Sequence, residues 1–367
     1  MIAPDYTNSI LNFSCSVQQQ LRGKPAHAPL PALHGKLHLP LTVIIIDGLG
    51  YTFLSKHKQS FLWKHCIGSM TSVFPSTTTA AVTTLMTAQS PAQHGLTGWF
   101  MLSKELGAIV IPLRFKTRYG KRALHEDGIR MQDLLFATSI LNNSVKSTHL
   151  LPNIVKNSPF NRALRGKAII KGYDDLNGMM KLLVQNRHCT TAYWGKFDHI
   201  LHHYGVHSKE AEQHFRELDK AIEHASKTLK GTLLITADHG LLDVKHLFLK
   251  DHPELEACLA LPFCGEPRTV YCYVHPGKDK QFRTYVEKKL KKYCTLLSKQ
   301  ELLRRGWLGK ELPSKAIQHR IGDYVLLMKK NYAFYDELLA ERRTPHRAEH
   351  GGVSADEMLV PLIAVHL

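Results

Sequence analysis

The sequence predicts an α/β fold built on a parallel sheet, and three observations carry that reading. The segment Leu41–Gly50, LTVIIIDGLG, holds a continuous β-branched run, Val43 to Ile46, as expected of a strand buried on both faces. Two further apolar runs, Cys189–Phe197 (CTTAYWGKF) and Thr232–Gly240 (TLLITADHG), repeat the pattern. Each of the three ends in an aspartate: Asp47, Asp198 and Asp238. Open α/β sheets place their ligands at the C-terminal ends of central strands.

Composition bounds the function classes. The 367 residues are 44% hydrophobic and 22% charged, ordinary for a globular chain. No stretch approaches the roughly 20 apolar residues of a membrane span. The first residues lack a basic region followed by an apolar core, which predicts a cytoplasmic protein. The seven cysteines are scattered without a CxxC pair and fit reduced thiols better than a disulfide framework. The net charge of +17 attracts phosphate-bearing partners: nucleotides, nucleic acid or anionic lipid. The 23 histidines justify a search for metal-ligand spacings.

In chain order, residues 1–40 read as an irregular or partly helical lead-in broken by prolines. Strand Leu41–Gly50 follows, then a helix over 51–70. The segment Phe74–Leu85, FPSTTTAAVTTL, reads as a turn opening a helix that runs to about Ala88. Its hydroxyls suit an N-cap, and a helix start also favours negative charge, so a threonine there fits either a cap or a nucleophile aimed at phosphate. Residues 90–99 read as a loop, Ala108–Leu113 as a strand, and Gly128–Leu141 and Asp174–Gln185 as helices. Residues 147–160 read as loop and Lys167–Tyr173 as a short strand. Past strand Cys189–Phe197, Asp198 and His202 stand four apart, able to turn toward one point. An amphipathic helix over Ser208–Leu229 precedes the third strand.

From Asp251 to Arg343 the character changes to a small α+β subdomain, with strands at Arg268–Val274, Cys294–Leu297 and Ile321–Lys329. Its basic helix, Lys278–Tyr293, has few aromatics to interleave as stacking platforms and reads as a solvated face. The chain closes with a Gly-flanked turn, Glu349-His350-Gly351-Gly352, and an apolar strand, Met358–Val365. The predicted division is therefore a lead-in at 1–40, a catalytic domain of 41–250 and 344–367, and an inserted cap at 251–343.

Asp47, Asp198, His202, Asp238, His239 and His350 form the ligand set. Six such ligands exceed one tetrahedral zinc and suit two divalent ions at about 3.5–4 Å, which would supply an activator for a threonine.

The order of motifs resembles a known family. An Asp-Gly after the first strand, a Pro-Ser-Thr-Thr helix start, Asp-x-x-x-His, Ala-Asp-His-Gly and a late His-Gly-Gly are similar to the alkaline phosphatase superfamily. Within it, the type I phosphodiesterase/nucleotide pyrophosphatase family is the closest match, over Thr42 to about Leu362. The resemblance implies a mostly parallel central sheet with helices on both faces and a dinuclear zinc site. Asp198, His202 and His350 would bind one ion, and Asp47, Asp238 and His239 the other. The nucleophile of the family pattern lands on Thr78, with Thr77 as its neighbouring alternative, and implies a phospho-threonine intermediate. The family's phosphate-contacting asparagine corresponds to Trp99, which offers one N–H donor or a stacking face. That departure leaves the choice among diester, pyrophosphate, monoester and phosphonate open. Arg268 fits either a phosphate contact from the cap or a turn entering a strand.

The expected activity is hydrolysis of a phosphodiester or nucleotide pyrophosphate, on a small phosphate-ester substrate. One alternative is a phosphonate or phosphomonoester hydrolase with the same site. From a different class comes a basic nucleic-acid or anionic-membrane binding protein with a degenerate site, against which the complete ligand set argues.

Overall fold

A computed structural model describes residues 1–120, 122–143, 145–338, 341 and 345–367. Its main sheet has seven strands. In chain order they include β1 (Leu41–Ile46), β2 (Cys66–Thr71), β3 (Ser147–Pro152), β4 (Ile169–Tyr173), β5 (Cys189–Trp194) and β6 (Thr232–Thr236). The smaller sheet contributes β7 (Cys264–Glu266), β8 (Thr269–Cys272), β9 (Cys294–Ser298) and β10 (Tyr324–Met328), and β11 (Leu359–His366) returns to the main sheet. The spatial order is β2-β11-β6-β1-β5-β3-β4. Strands β6, β1, β5, β3 and β4 are mutually parallel, and β11 runs antiparallel to both β6 and β2. The continuous apolar run of β1 is explained by its central place, where all six of its residues are buried.

Five helices frame this sheet and its site: α1 (Ile10–Gln20), α2 (Thr78–Thr87), α3 (Leu176–Gln185), α4 (Lys196–Tyr204) and α5 (Lys209–Ser226). Helix α5 has the amphipathic pattern expected of it, burying Ala211, Phe215, Leu218, Ile222 and Ala225. Helix α1 is more regular than the proline-broken lead-in suggests. Its residues Ile10 to Val17 are all buried, and Ser14 donates its hydroxyl to the Leu85 carbonyl of α2 at 2.7 Å.

Three local expectations fail, each for a physical reason. Residues 51–70 form two one-turn helices, Tyr51–Leu54 and Phe61–Lys64, followed by edge strand β2 instead of one helix. Asp219 of α5 accepts the amides of Phe61 and Leu62 at 3.0 and 2.8 Å, fixing a fresh helix start there. Residues 128–141 do not form a helix beyond a single tight turn at Met131–Asp133. The amides of Phe136 and Ile140 instead bond the carbonyls of His94 and Met86. Residues 147–152, read as loop, are the buried strand β3. Its polar content hid it: His149 Nδ1 lies 2.7 Å from Thr191 Oγ1 on β5, so a polar residue is satisfied inside the sheet.

The smaller sheet has the order β7-β8-β10-β9 and is antiparallel. Its side chains alternate between two cores. Val270, Cys272, Leu326 and Met328 pack with Phe282, Val286 and Leu290 of the basic helical segment. Tyr271, Tyr273, Val325 and Leu327 pack with Trp307 and with Phe74 and Met358 of the main body. The period-2 alternation therefore seats this sheet beside the start of α2. No helix among the described residues is long and apolar enough to cross a membrane.

Candidate active site

The three strands that end in aspartates are neighbours in the order β6-β1-β5. Parallel pairing keeps their C-terminal ends level, so Asp47, Asp198 and Asp238 meet at one edge. The Asp47 amide continues the ladder to the Trp194 carbonyl at 3.0 Å. Gly48 then turns the chain at φ +78, and a Cβ there would sit 2.8 Å from the Leu241 side chain. Asp198 lies in the first turn of α4, and His202 one turn later, on the same face. His202 Nε2 is 3.4 Å from Asp198 Oδ1. His202 Nδ1 is 2.7 Å from the Ala348 carbonyl, which assigns the proton to Nδ1 and frees Nε2 as a ligand.

His239 sits at the centre. Its Nε2 is 3.5 Å from Asp47 Oδ1, 3.4 Å from Asp238 Oδ2 and 3.2 Å from the Thr78 hydroxyl. The His350 ring stacks on it with centroids 3.9 Å apart. All six expected ligands thus fall in one cluster. Asp47, Asp238 and His239 form one group with ligand atoms within 4.8 Å of one another. Asp198 and His350 group with His239, and His202 and His350 group with Glu349, so the second set is spread along the cleft.

The donor chemistry fits divalent cations. Asp47 Oδ1, Asp198 Oδ1, Asp238 Oδ2 and His350 Nδ1 are buried and make no hydrogen bond. Among the described residues no lysine or arginine pairs with these carboxylates; their close cationic neighbours are histidines. Burial pushes the Asp47 carboxyl well above the usual carboxylate range, and the charges of Asp238 and Asp198 push it further. Burial raises Asp238 likewise, with Asp198 adding to the shift and His239 opposing it. Burial, then the neighbouring His239 and His202, hold the His350 imidazole well below its ordinary value. Burial disfavours the charged His202, but Asp198 and Glu349 outweigh it and raise its pKa. Buried carboxylates without cations are costly, and a bound divalent ion inverts that cost.

Thr78 is the first residue of α2, with Thr77 at the N-cap. Both line a cleft of about 770 Å³ whose walls include Trp99, Arg114, Phe334 and Tyr335. The Arg114 guanidinium lies over the Trp99 ring at 5.3 Å. Arg118, deeper in, is committed to Asp336 and Glu341. Arg268 does not line this cleft. It is 1% exposed and forms a bidentate pair with Glu357 at 3.0 and 2.8 Å. Its three guanidinium nitrogens all donate internally, Nε and Nη2 to Glu357 and Nη1 to the Tyr332 carbonyl.

Sequence reasoning missed Glu349, Glu266 and Tyr193. Tyr193 donates its hydroxyl to Asp47 Oδ2, and nothing in its position on β5 signalled that. Glu349 accepts from Tyr335 and His346, each at 3.0 Å, and adjoins His350 in sequence, which was a usable signal. Glu266 accepts the Thr77 hydroxyl at 2.6 Å.

The type I phosphodiesterase/nucleotide pyrophosphatase family model matches residues 41–352. No curated protein sequence matches the chain. Among solved structures, phosphonoacetate hydrolase from Sinorhizobium meliloti 1021, in complex with phosphonoacetate, aligns at 16% identity and TM-score 0.65, covering 89% of this chain and 90% of that one. Murine ectonucleotide pyrophosphatase/phosphodiesterase 5 aligns at 16% identity and TM-score 0.63, covering 89% and 88%. An inactive variant of that murine protein was solved in complex with AMP. These likenesses show an alkaline-phosphatase-like α/β fold. The family match over most of the length adds the chemistry class: the chain belongs to the type I phosphodiesterase/nucleotide pyrophosphatase family, and is a hydrolase.

Proposed function

We propose that this chain hydrolyses phosphodiester or nucleotide pyrophosphate bonds through a phospho-threonine intermediate at a site for two zinc ions. The observation that carries this reading is the set of four buried ligand atoms without hydrogen bonds grouped around His239, whose Nε2 lies 3.2 Å from the Thr78 hydroxyl. Asp47, Asp238 and His239 would hold one ion, and Asp198, His202 and His350 the other. Bound there, the ions would lower the pKa of the Thr78 hydroxyl and neutralise charge on the phosphoryl oxygens.

The chain's own residues do the rest. Thr78 Oγ1 attacks phosphorus in line; the new O–P bond forms as the bond to the leaving oxygen breaks. Water then cleaves the Thr78 O–P bond and returns the free hydroxyl. The position of Thr78 at the start of α2 aims backbone N–H groups and the positive helix end at the reacting phosphoryl group. Tyr193 fixes the Asp47 carboxylate and the Ala348 carbonyl fixes the His202 ring, so neither ligand must reorganise. Phe263, Gly265, Phe334 and Tyr335 of the expected insert line the cleft together with Trp99 and Arg114, and would meet the substrate there; the end of that insert at Arg343 lies outside the described residues.

A second reading, phosphonate hydrolysis at the same site, is favoured by the likeness to a structure in complex with phosphonoacetate. Turnover of bis-p-nitrophenyl phosphate, p-nitrophenyl phosphate and phosphonoacetate, with added Zn²⁺ and after chelation, separates them. The proposal expects the diester to be the best substrate and chelation to abolish its turnover. Preference for phosphonoacetate would favour the second reading, and no turnover of any would contradict both.

A further inference from the structure

Glu266 is a buried carboxylate beside the nucleophile with no part in the mechanism above. Its Oε1 accepts two short hydrogen bonds, from the Thr77 hydroxyl and from the Trp99 amide, both at 2.6 Å. Those donors belong to two different cleft walls: the N-cap of α2 and the loop after the helix Pro91–His94.

The bond from Thr77 has a specific consequence. An N-cap threonine ordinarily turns its oxygen back to the first-turn amides of its own helix. Thr77 makes no such bond; its hydroxyl donates to Glu266 instead. The amides at the start of α2 are therefore left without a side-chain cap, immediately beside Thr78. The bond from Trp99 is equally built in. Phe100 and Gly265 exchange backbone bonds at 3.2 and 2.7 Å, and a Cβ on Gly98 would sit 2.8 Å from Gly265 Cα. Gly351, next to His350, also packs against Glu266, where a Cβ would meet the Glu266 side chain at 2.6 Å.

Resting on the reading of Thr78 as nucleophile, we propose that Glu266 is a positioning residue for the reaction: by accepting the Thr77 hydroxyl it fixes the backbone that carries Thr78 at the start of α2, and by accepting the Trp99 amide it pins the Trp99 wall to the same point. Without that bond, the N-cap backbone beside Thr78 loses its tie to Glu266 and the Thr78 hydroxyl is held less closely in its attacking position.

The test uses the full zinc-loaded chain and bis-p-nitrophenyl phosphate, with zinc content and melting temperature measured alongside kcat and KM. Misplacing a reacting group by about 1 Å costs up to about 100-fold, so Glu266→Ala and Thr77→Val should each lower kcat by about 10- to 100-fold while zinc content stays at the wild-type level. Because both remove the same bond, the double variant should be within about threefold of Glu266→Ala. Glu266→Gln keeps an acceptor oxygen and should recover most of the loss. Wild-type kcat in Thr77→Val, or losses that multiply in the double variant, would overturn the proposal. So would Glu266→Gln as impaired as Glu266→Ala, since that would assign the effect to charge. If Glu266→Ala does not fold, Thr77→Val and Glu266→Gln decide alone. Failure of the underlying reading looks different: Thr78→Ala would remain active, or the wild type would hydrolyse nothing.

Discussion

The Thr78 hydroxyl stands 3.2 Å from Nε2 of His239, the same nitrogen that faces both Asp47 and Asp238. On the proposed reading, a hydroxyl this close to the cluster would attack an incoming phosphoryl group. Serine keeps the oxygen but loses the methyl that restricts χ1. Thr78→Ser should therefore retain hydrolysis at about one-tenth of the wild-type kcat, with KM little changed. Steady-state kinetics on a diester substrate checks it.

Asp238 Oδ1 accepts the Gly48 and His239 amides at 3.2 and 3.0 Å, which leaves Oδ2 for the cleft. Asp238→Asn replaces a charged ligand atom with a neutral one. Zinc content by elemental analysis should fall by about half, with diester hydrolysis down at least about 10³-fold. An unchanged zinc content would contradict the assignment of Asp238 as a ligand.

Arg268 and Glu357 form a buried bidentate pair between the smaller sheet and the turn before β11. Burial works against the Glu357 charge, but Arg268 outweighs it and lowers the carboxyl's pKa. Removing one partner of such a pair typically costs about 3–5 kcal/mol, because the other charge is left buried. Arg268→Met should lower the melting temperature sharply while the folded fraction keeps its KM. A raised KM with unchanged stability would mean that Arg268 contacts substrate after all.

Two buried histidines set a lower pH boundary. Burial depresses His94 to about 3 and His149 to about 4. Their unfolded values are near 6.5, so the unfolded chain binds more protons than the folded one as pH falls below that. Stability from keeping these rings neutral is present above about pH 6.5 and is lost progressively toward pH 4. Melting temperature should fall between pH 7 and pH 5, and the fall should be shallower in His94→Gln. A melting temperature independent of pH across that window would contradict this account.

The strands that carry the carboxylates were legible because each combines a β-branched or apolar run with an abrupt polar end. Burial on both faces leaves that mark in β1, β5 and β6. Strand β3 left no such mark, since His149 and Thr148 are buried with partners distant in sequence, Thr191 on β5 and Asn186 at the C-cap of α3. Strand β2 is an edge strand, half-exposed and paired with β11. The proposed ligand residues were legible as short motifs because each lies at a strand end, a helix turn or the Gly-flanked turn at His350. The supporting groups were not. Glu266 and Tyr193 act through contacts 189 and 146 residues away in sequence, and no local pattern encodes such pairings. Arg268 shows the reverse case, a residue whose type fits phosphate and whose burial with Glu357 gives it other work.

The most direct test of the central claim is the turnover of bis-p-nitrophenyl phosphate by Thr78→Ala, measured together with its zinc content. The account predicts wild-type zinc content and kcat reduced by at least about 10³-fold, the scale of losing a covalent nucleophile. Turnover near the wild-type value in a zinc-replete Thr78→Ala protein would contradict it.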